Sequence, residues 1–331
     1  MGGDSLALTF MLAEIGTELS PEDQIDFLES PTVEHLARAV ERGSTKGARP
    51  ALVPLQPDGP GIPFFCIPGA DENPYYMLDL AKALGSDRPF IVVRDQRPAE
   101  ERGVYTVPEH AARFCEAIRS RQPEGPYLLG GHCYGGMLAF EAARQFVAAG
   151  QKVSLLVLFE VPTPGYPRVV RQWNRYLKHA AAMGSAIVRG NGREVWAQVR
   201  AHAAVLRVLF GYKFRALKRR TIFGAGLRGL IEPRGEFGAR NKRAAMAYAP
   251  GRLACDVVHF FAADEFHSTR ILDDPRLGWR EFVDGRFSVR HVPGIADGIF
   301  KPPNAAILAA GLREALEAAT EPRASAAAAG R

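Results

Sequence analysis

The chain has 331 residues, 47% of them apolar and 24% charged, a balance that fills packed cores and excludes an intrinsically disordered chain. That length fits an α/β domain of ordinary size plus a small partner. The net charge of +6 does not signal nucleic-acid binding, because the basic residues concentrate between Arg168 and Arg243 on helical sequence without a recognition motif.

Residues 1–42 read as helices. Asp4 stands at an N-cap position ahead of Leu6, Leu8, Phe10 and Met11, which follow helical spacing. A second helix opens at Pro31-Thr-Val-Glu-His-Leu-Ala, with Thr32 as its cap and His35 as a polar surface residue. So small a helical piece buries too little surface to be stable alone, which implies that the start of its domain lies upstream. Residues 43–62 are rich in Gly, Pro and Ser and are expected to be a linker.

Beyond the linker, short runs of β-branched and aromatic residues alternate with helical stretches. Strands are expected at Pro63–Ile67, Phe90–Val93, Tyr127–Gly130, Val153–Phe159, Val257–Phe261 and Phe287–Val292. This alternation predicts an α/β domain, a mostly parallel sheet wrapped by helices, over 63–318. Between Val161 and Pro250 the strand pattern lapses into Arg- and Ala-rich helical sequence, expected to be a lid at about 165–250 over the carboxyl edge of the sheet. The Ala-rich residues 319–331 are expected to be a disordered tail. No apolar run approaches the roughly 20 residues that span a bilayer and no signal-like start appears, so the expected compartment is the cytoplasm. The four cysteines form neither a CxxC pair nor a zinc-ligand cluster, and no metal is expected.

The most informative segment is Tyr127-Leu-Leu-Gly-Gly-His-Cys-Tyr-Gly-Gly-Met-Leu-Ala-Phe-Glu. An apolar strand runs into Gly131-x-Cys133-x-Gly135 and a long amphipathic helix follows at once. This is the strand, sharp turn and helix of a nucleophile elbow, with Cys in place of the usual Ser. The glycines are needed because the turn is strained and a side chain at either position would meet strand or helix. At a helix N-terminus the dipole favours the thiolate of Cys133. The oxyanion donors expected with it are the backbone N–H of Tyr134 and another near Gly69 and Ala70, in the loop after the first parallel strand. His132, next to the nucleophile, reads as a packed side chain rather than the base, because neighbouring residues on the turn point apart.

With these motifs on view the sequence resembles known families. Gly2-Gly-Asp-Ser-Leu6 and Pro31-Thr-Val-Glu-His-Leu36 are similar to the later part of peptidyl and acyl carrier domains. That resemblance implies a partial carrier domain over 1–42, with 4'-phosphopantetheine carried on Ser5. Residues from about 51 to 318 resemble the terminal thioesterase domains of nonribosomal peptide and polyketide synthases, through Leu52-Val-Pro-Leu-Gln, Phe65-Cys-Ile-Pro-Gly, Gln122-Pro-Glu-Gly-Pro-Tyr, the elbow and Val157-Leu-Phe-Glu-Val-Pro. It implies an α/β-hydrolase fold with a helical lid, a carrier-domain partner, and release of an acyl or peptidyl chain from a phosphopantetheine thioester through an acyl-enzyme on Cys133.

The resemblance also places the acid and exposes a gap. The acid position, at the end of the strand after the elbow helix, is Glu160; Asp264, after a later strand, is the next candidate. The position of the basic histidine falls on Ala296, counted forward from Gly294 or back from Ile299-Phe300. Three explanations are open: the base is lost; His291 or His267 supplies it; or the domain binds acyl chains without turning them over. His291 lies five residues early on a strand, where packing suits it better, and nothing in the spacing singles out His267. Asp297 is adjacent, but a carboxylate matches proton transfer near neutrality poorly unless its pKa is raised. Thiolate attack on a thioester needs little base, whereas water attacking the acyl-enzyme must be deprotonated. Loading with slow unloading is therefore expected.

Overall fold

The computed structural model describes residues 50–70, 72–96, 105–164, 243–263 and 275–321, together with 32–41 and positions 27, 181, 196 and 241. The expected carrier piece contributes one described helix, α1 (Val33–Glu41), which begins directly after Thr32. Ser5, Asp264, His267, most of the expected lid and residues 322–331 lie outside the described residues.

Seven strands form a single sheet: β1 (Leu52–Gln56), β2 (Phe64–Ile67), β3 (Phe90–Val93), β4 (Tyr127–His132), β5 (Val153–Phe159), β6 (Val257–Ala262) and β7 (Phe287–Val292), in the order β1-β3-β2-β4-β5-β6-β7. All pairings are parallel except β1 with β3. Strand β1 lies within 43–62, the stretch expected to be a linker, so Leu52–Gln56 belongs to the sheet. The Gly and Pro content of that stretch hides an alternation in which Val53 and Leu55 turn inward and are buried, while Pro54 is exposed. Proline is tolerated there because β1 is an edge strand with no ladder partner on its outer side.

The alternation of side chains along each strand explains the layering. Phe65, Ile67, Leu129, Leu156 and Leu158 face one core, which is shared with α3 (Val107–Arg121) and α4 (Tyr134–Ala148). Phe64, Cys66, Leu128, Leu155, Val157 and Phe159 face the other, closed by α2 (Leu78–Leu84) and α5 (Asn304–Thr320). Each fully buried Leu or Phe contributes roughly 1.5–3 kcal/mol. Helix α3 starts at a capping box, in which Thr106 accepts from the Glu109 N–H and the Glu109 side chain accepts from the Thr106 N–H.

The order of strands fixes where a site can form. From β2 the chain runs outward to β3, and it returns to place β4 on the other side of β2 before proceeding to β5, β6 and β7. The switch point lies between β2 and β4, and in open α/β sheets ligands bind outside the carboxyl ends of the strands at such a point. Two segments meet there, Pro68–Ala70 after β2 and Cys133 after β4.

Candidate active site

Strand β4 continues two residues past its expected end, so that Gly131 and His132 belong to the sheet and Cys133 is the N-cap of α4. Cys133 has φ +50° and ψ −120°, a conformation that side chains rarely adopt, and it is exposed. The turn is held by the Cys133 N–H, which donates to the Phe159 carbonyl at 3.0 Å, and by the Gly136 N–H, which donates to the Cys133 carbonyl at 3.1 Å. The flanking glycines are required by contact. A Cβ on Gly131 would stand 2.4 Å from the Gly135 oxygen, and one on Gly135 would stand 2.0 Å from the Pro68 oxygen. A Cβ on Gly136 would meet Val161 at 2.1 Å.

That close approach presses the start of α4 against the loop after β2, the loop that carries Ala70. The first N–H groups of a helix have no partner within it, and Tyr134 is the first residue of α4. The loop is also tied to the residue before the nucleophile. The Gly69 N–H donates to the Tyr76 hydroxyl oxygen at 2.9 Å, and that hydroxyl lies 2.9 Å from His132 Nδ1. A hydroxyl that accepts from Gly69 and donates to Nδ1 satisfies both contacts. His132 is buried and packs edge-on against Phe300, with ring centroids 4.9 Å apart. It is a packed side chain, and the residues of its anchor, Tyr76 and Phe300, carry no motif visible in the sequence.

Glu160 ends β5 with φ +52° and is buried. Among the described residues only Glu72, Cys133 and Glu160 combine a side chain with positive φ, so two of the three strained positions are those expected for the nucleophile and the acid. The Glu160 carboxylate is held by Arg276. Nη1 of Arg276 donates to Oε1 at 2.6 Å and to Oε2 at 2.7 Å, and the Ala262 N–H donates to Oε1. Arg276 is itself buried, its guanidinium 4.0 Å from the centroid of Phe261. Nothing in Pro275-Arg276-Leu277 announces this role. The available signal was indirect: a carboxylate buried at a strand end needs a cation beside it.

The turn that carries Ala296 follows β7 as a short 3₁₀ helix, Ala296–Phe300. Its last residue packs on Phe159 with centroids 5.6 Å apart, and on His132, so the turn sits beside both the acid strand and the elbow. His291 lies on β7, exposed, its ring 5.7 Å from Phe261. His259, on β6, went unnoticed in the sequence. It is fully buried, its Nε2 accepts from the Val161 N–H at 3.0 Å, and burial together with Arg276 pulls its pKa well below the usual histidine value.

A second buried polar group lies on the β3 side of the crevice. Nε2 of His110 stands 3.6 Å from Asp95 and 3.9 Å from Glu72, and its ring lies 6.3 Å from that of Tyr134. Burial and the nearby Glu72 carboxylate push the Tyr134 phenol well above its ordinary pKa. The other cysteines differ from Cys133. Burial raises the thiols of Cys66, Cys115 and Cys255, the latter two to about 12.

The mostly parallel sheet and the strained strand-turn-helix at its switch point define an α/β-hydrolase arrangement. The chain belongs to the thioesterase-domain family, whose model matches residues 63–296. It is 36% identical over 170 residues to indigoidine synthase of Dickeya dadantii, a match covering 51% of this chain and 11% of that protein. It is 32% identical over 162 residues to a dimodular nonribosomal peptide synthase of Bacillus subtilis, covering 48% of this chain and 7% of that protein. The chain thus spans about a tenth of the length of such relatives. A solved four-domain nonribosomal peptide synthetase, bound to AMP and glycine, shares the fold with TM-score 0.56 and 19% identity, over 94% of this chain and 23% of that one. Among the described residues no helix is long and apolar enough to cross a membrane.

Proposed function

We propose that this chain takes an acyl or peptidyl group from a phosphopantetheine thioester onto Cys133 and releases it slowly, as the terminal thioesterase of a carrier-dependent synthase. The observation that carries the reading is an exposed thiol at the N-cap of a 15-residue helix, in a strained conformation enforced by Gly131 and Gly135. A thiolate there is favoured by the helix dipole, and exchange between thioesters is nearly balanced. Backbone N–H groups of Tyr134 and Ala70 would hold the oxyanion. The natural donor would be a carrier domain, and Ser5, in a partial one, would bear 4'-phosphopantetheine; the cytoplasm suits both.

Hydrolysis is the slow step in this reading, because Ala296 supplies no base and general-base help is worth roughly a hundred- to ten-thousand-fold. The same observation favours a second reading, a domain that binds an acylated carrier without turnover. Intact-protein mass spectrometry after exposure to a short-chain acyl pantetheine thioester separates the two, with thiol release followed in parallel. A stoichiometric adduct absent from Cys133→Ala, with little sustained thiol release, is the expected result. Sustained release would show that another residue, His291 or His267, supplies the base. Neither adduct nor release would leave the binding reading.

A further inference from the structure

Gly69 and Ala70 have four backbone polar groups, and three of them have partners among the described residues. The Gly69 N–H donates to the Tyr76 hydroxyl oxygen at 2.9 Å, the Gly69 carbonyl accepts from the Glu72 N–H at 2.9 Å, and the Ala70 carbonyl accepts from Nδ2 of buried Asn241 at 3.5 Å. The fourth group is the Ala70 N–H, proposed above as an oxyanion donor. Of the three bonds, the one to Glu72 closes a turn within the loop itself, and the one to Asn241 is long for an N–H donor. The bond to Tyr76 is short, and its acceptor is itself held in place. The hydroxyl lies 2.9 Å from His132 Nδ1, and the Tyr76 ring packs edge-on against His132 and Phe300, with centroids 5.5 and 5.2 Å apart. His132 directly precedes Cys133.

We propose that Tyr76 is a positioning residue: its hydroxyl ties the Gly69 N–H to the residue before the nucleophile, and so sets where the Ala70 N–H meets the oxyanion formed at Cys133. The proposal rests on the acyl-enzyme reading above and deepens it. In loading, the Cys133 sulfur bonds to the thioester carbonyl carbon, and the carbonyl oxygen takes up the negative charge. The bond from that carbon to the pantetheine sulfur then breaks, and the departing thiolate takes a proton from water. A donor stabilises such a charge only from about 2.7–3.1 Å, so its placement matters as much as its presence. The Ala70 N–H lies in one rigid peptide unit with the Gly69 carbonyl. Two soft dihedral angles, those of Gly69, separate that unit from the N–H that Tyr76 holds, and glycine is the most permissive residue at such a joint. Removing the hydroxyl therefore loosens the donor without touching Cys133.

The test compares the full chain with Tyr76→Phe, which keeps the ring against His132 and Phe300 and removes the hydroxyl alone. Two reactions of Cys133 are timed by intact-protein mass spectrometry: loading from a short-chain acyl pantetheine thioester, and alkylation by iodoacetamide. Both use the same thiolate in the same elbow, but only loading builds charge on a carbonyl oxygen. Loss of a whole oxyanion donor slows a reaction roughly a hundred- to a thousandfold, so a loosened one is expected to slow loading about tenfold or more. Alkylation is expected to change by less than about twofold, since the thiolate is untouched. Amide hydrogen exchange at Gly69, followed by NMR, is expected to quicken in the variant. Loading within about threefold of the parent, loading and alkylation slowed alike, or unchanged exchange at Gly69 would overturn the proposal. If the parent is alkylated but not loaded, the acyl-enzyme reading fails, while the exchange comparison still decides whether the hydroxyl holds the loop. His132→Phe, which removes the second partner of the hydroxyl, serves in the same comparison if Tyr76→Phe does not fold.

Discussion

Replacing Gly135 with alanine tests whether the elbow is as tightly built as its contacts indicate. The added Cβ would lie 2.0 Å from the Pro68 oxygen, 2.5 Å from the Ile67 oxygen and 2.8 Å from the Pro68 carbonyl carbon. All three are backbone atoms. The first two belong to the end of β2 and the loop after it, so no side-chain rotation relieves the clash. Ordinary contact requires more than 3 Å, and the shortfall is met only by moving α4 away from β2 by about an ångström. Overpacking of a core by a methylene costs typically 1–3 kcal/mol where side chains can adjust. Here a cost of about 3 kcal/mol or more is expected, a large fraction of the 5–15 kcal/mol that ordinarily separates folded from unfolded chains. Gly150→Ala is the control: nothing lies within 4 Å of its Cβ, and only the φ of +74° is unfavourable, at roughly 1–2 kcal/mol. Urea unfolding of both variants gives the comparison, and the alkylation rate of Cys133 reports on the elbow. A Gly135→Ala protein within about 1 kcal/mol of the parent would refute the close-packed geometry.

Three further outcomes follow from the same contacts. Iodoacetamide at pH 8 should modify Cys133 ahead of the others, because Cys66, Cys115 and Cys255 are buried and their thiols are raised; peptide mapping that found equal labelling would contradict this. Tyr248→Phe should cost about 1.5–3 kcal/mol in urea unfolding, because its hydroxyl donates to the buried Glu141 carboxylate at 2.7 Å; a loss under about 0.5 kcal/mol would count against that bond. The parent should lose stability as pH falls below 6.5, the ordinary value of a histidine, because unfolded His259 takes up a proton that the folded residue, with its lowered pKa, refuses. This contributes up to about 1.4 kcal/mol per pH unit until the folded value is reached, and His259→Gln should remove that component from urea midpoints measured at pH 7.5, 6.5 and 5.5.

Most of the sheet was legible in the sequence because strands β2 to β6 are buried on both faces and read as apolar runs, and the elbow because its glycines stand at fixed spacing around Cys133. Strand β1 was not, since an edge strand needs only two inward residues and tolerates Pro54. The residues that support the site were hidden for a different reason. Arg276 reaches Glu160 across 116 positions of sequence, Tyr76 reaches His132 across 56, and His259 reaches Val161 across 98. Such partners are set by strand order and crossover, and a local motif does not carry them. The strain at Glu72 and Glu160 is equally silent, because positive φ in a glutamate is imposed from outside rather than signalled by residue type.

The ion pair at Glu160 answers a cost of burial. A carboxylate buried at a strand end with no cation beside it costs several kcal/mol. Arg276 removes that cost by supplying a permanent charge to both oxygens, with Phe261 covering the guanidinium face. Stability and proton transfer then make opposite demands on the same carboxylate. A fixed cation satisfies the first and forecloses the second, because no proton can be exchanged with a guanidinium near neutrality. The elbow is tied to the same strand end: the Cys133 N–H donates to the Phe159 carbonyl and Gly136 packs on Val161, the residues on either side of Glu160.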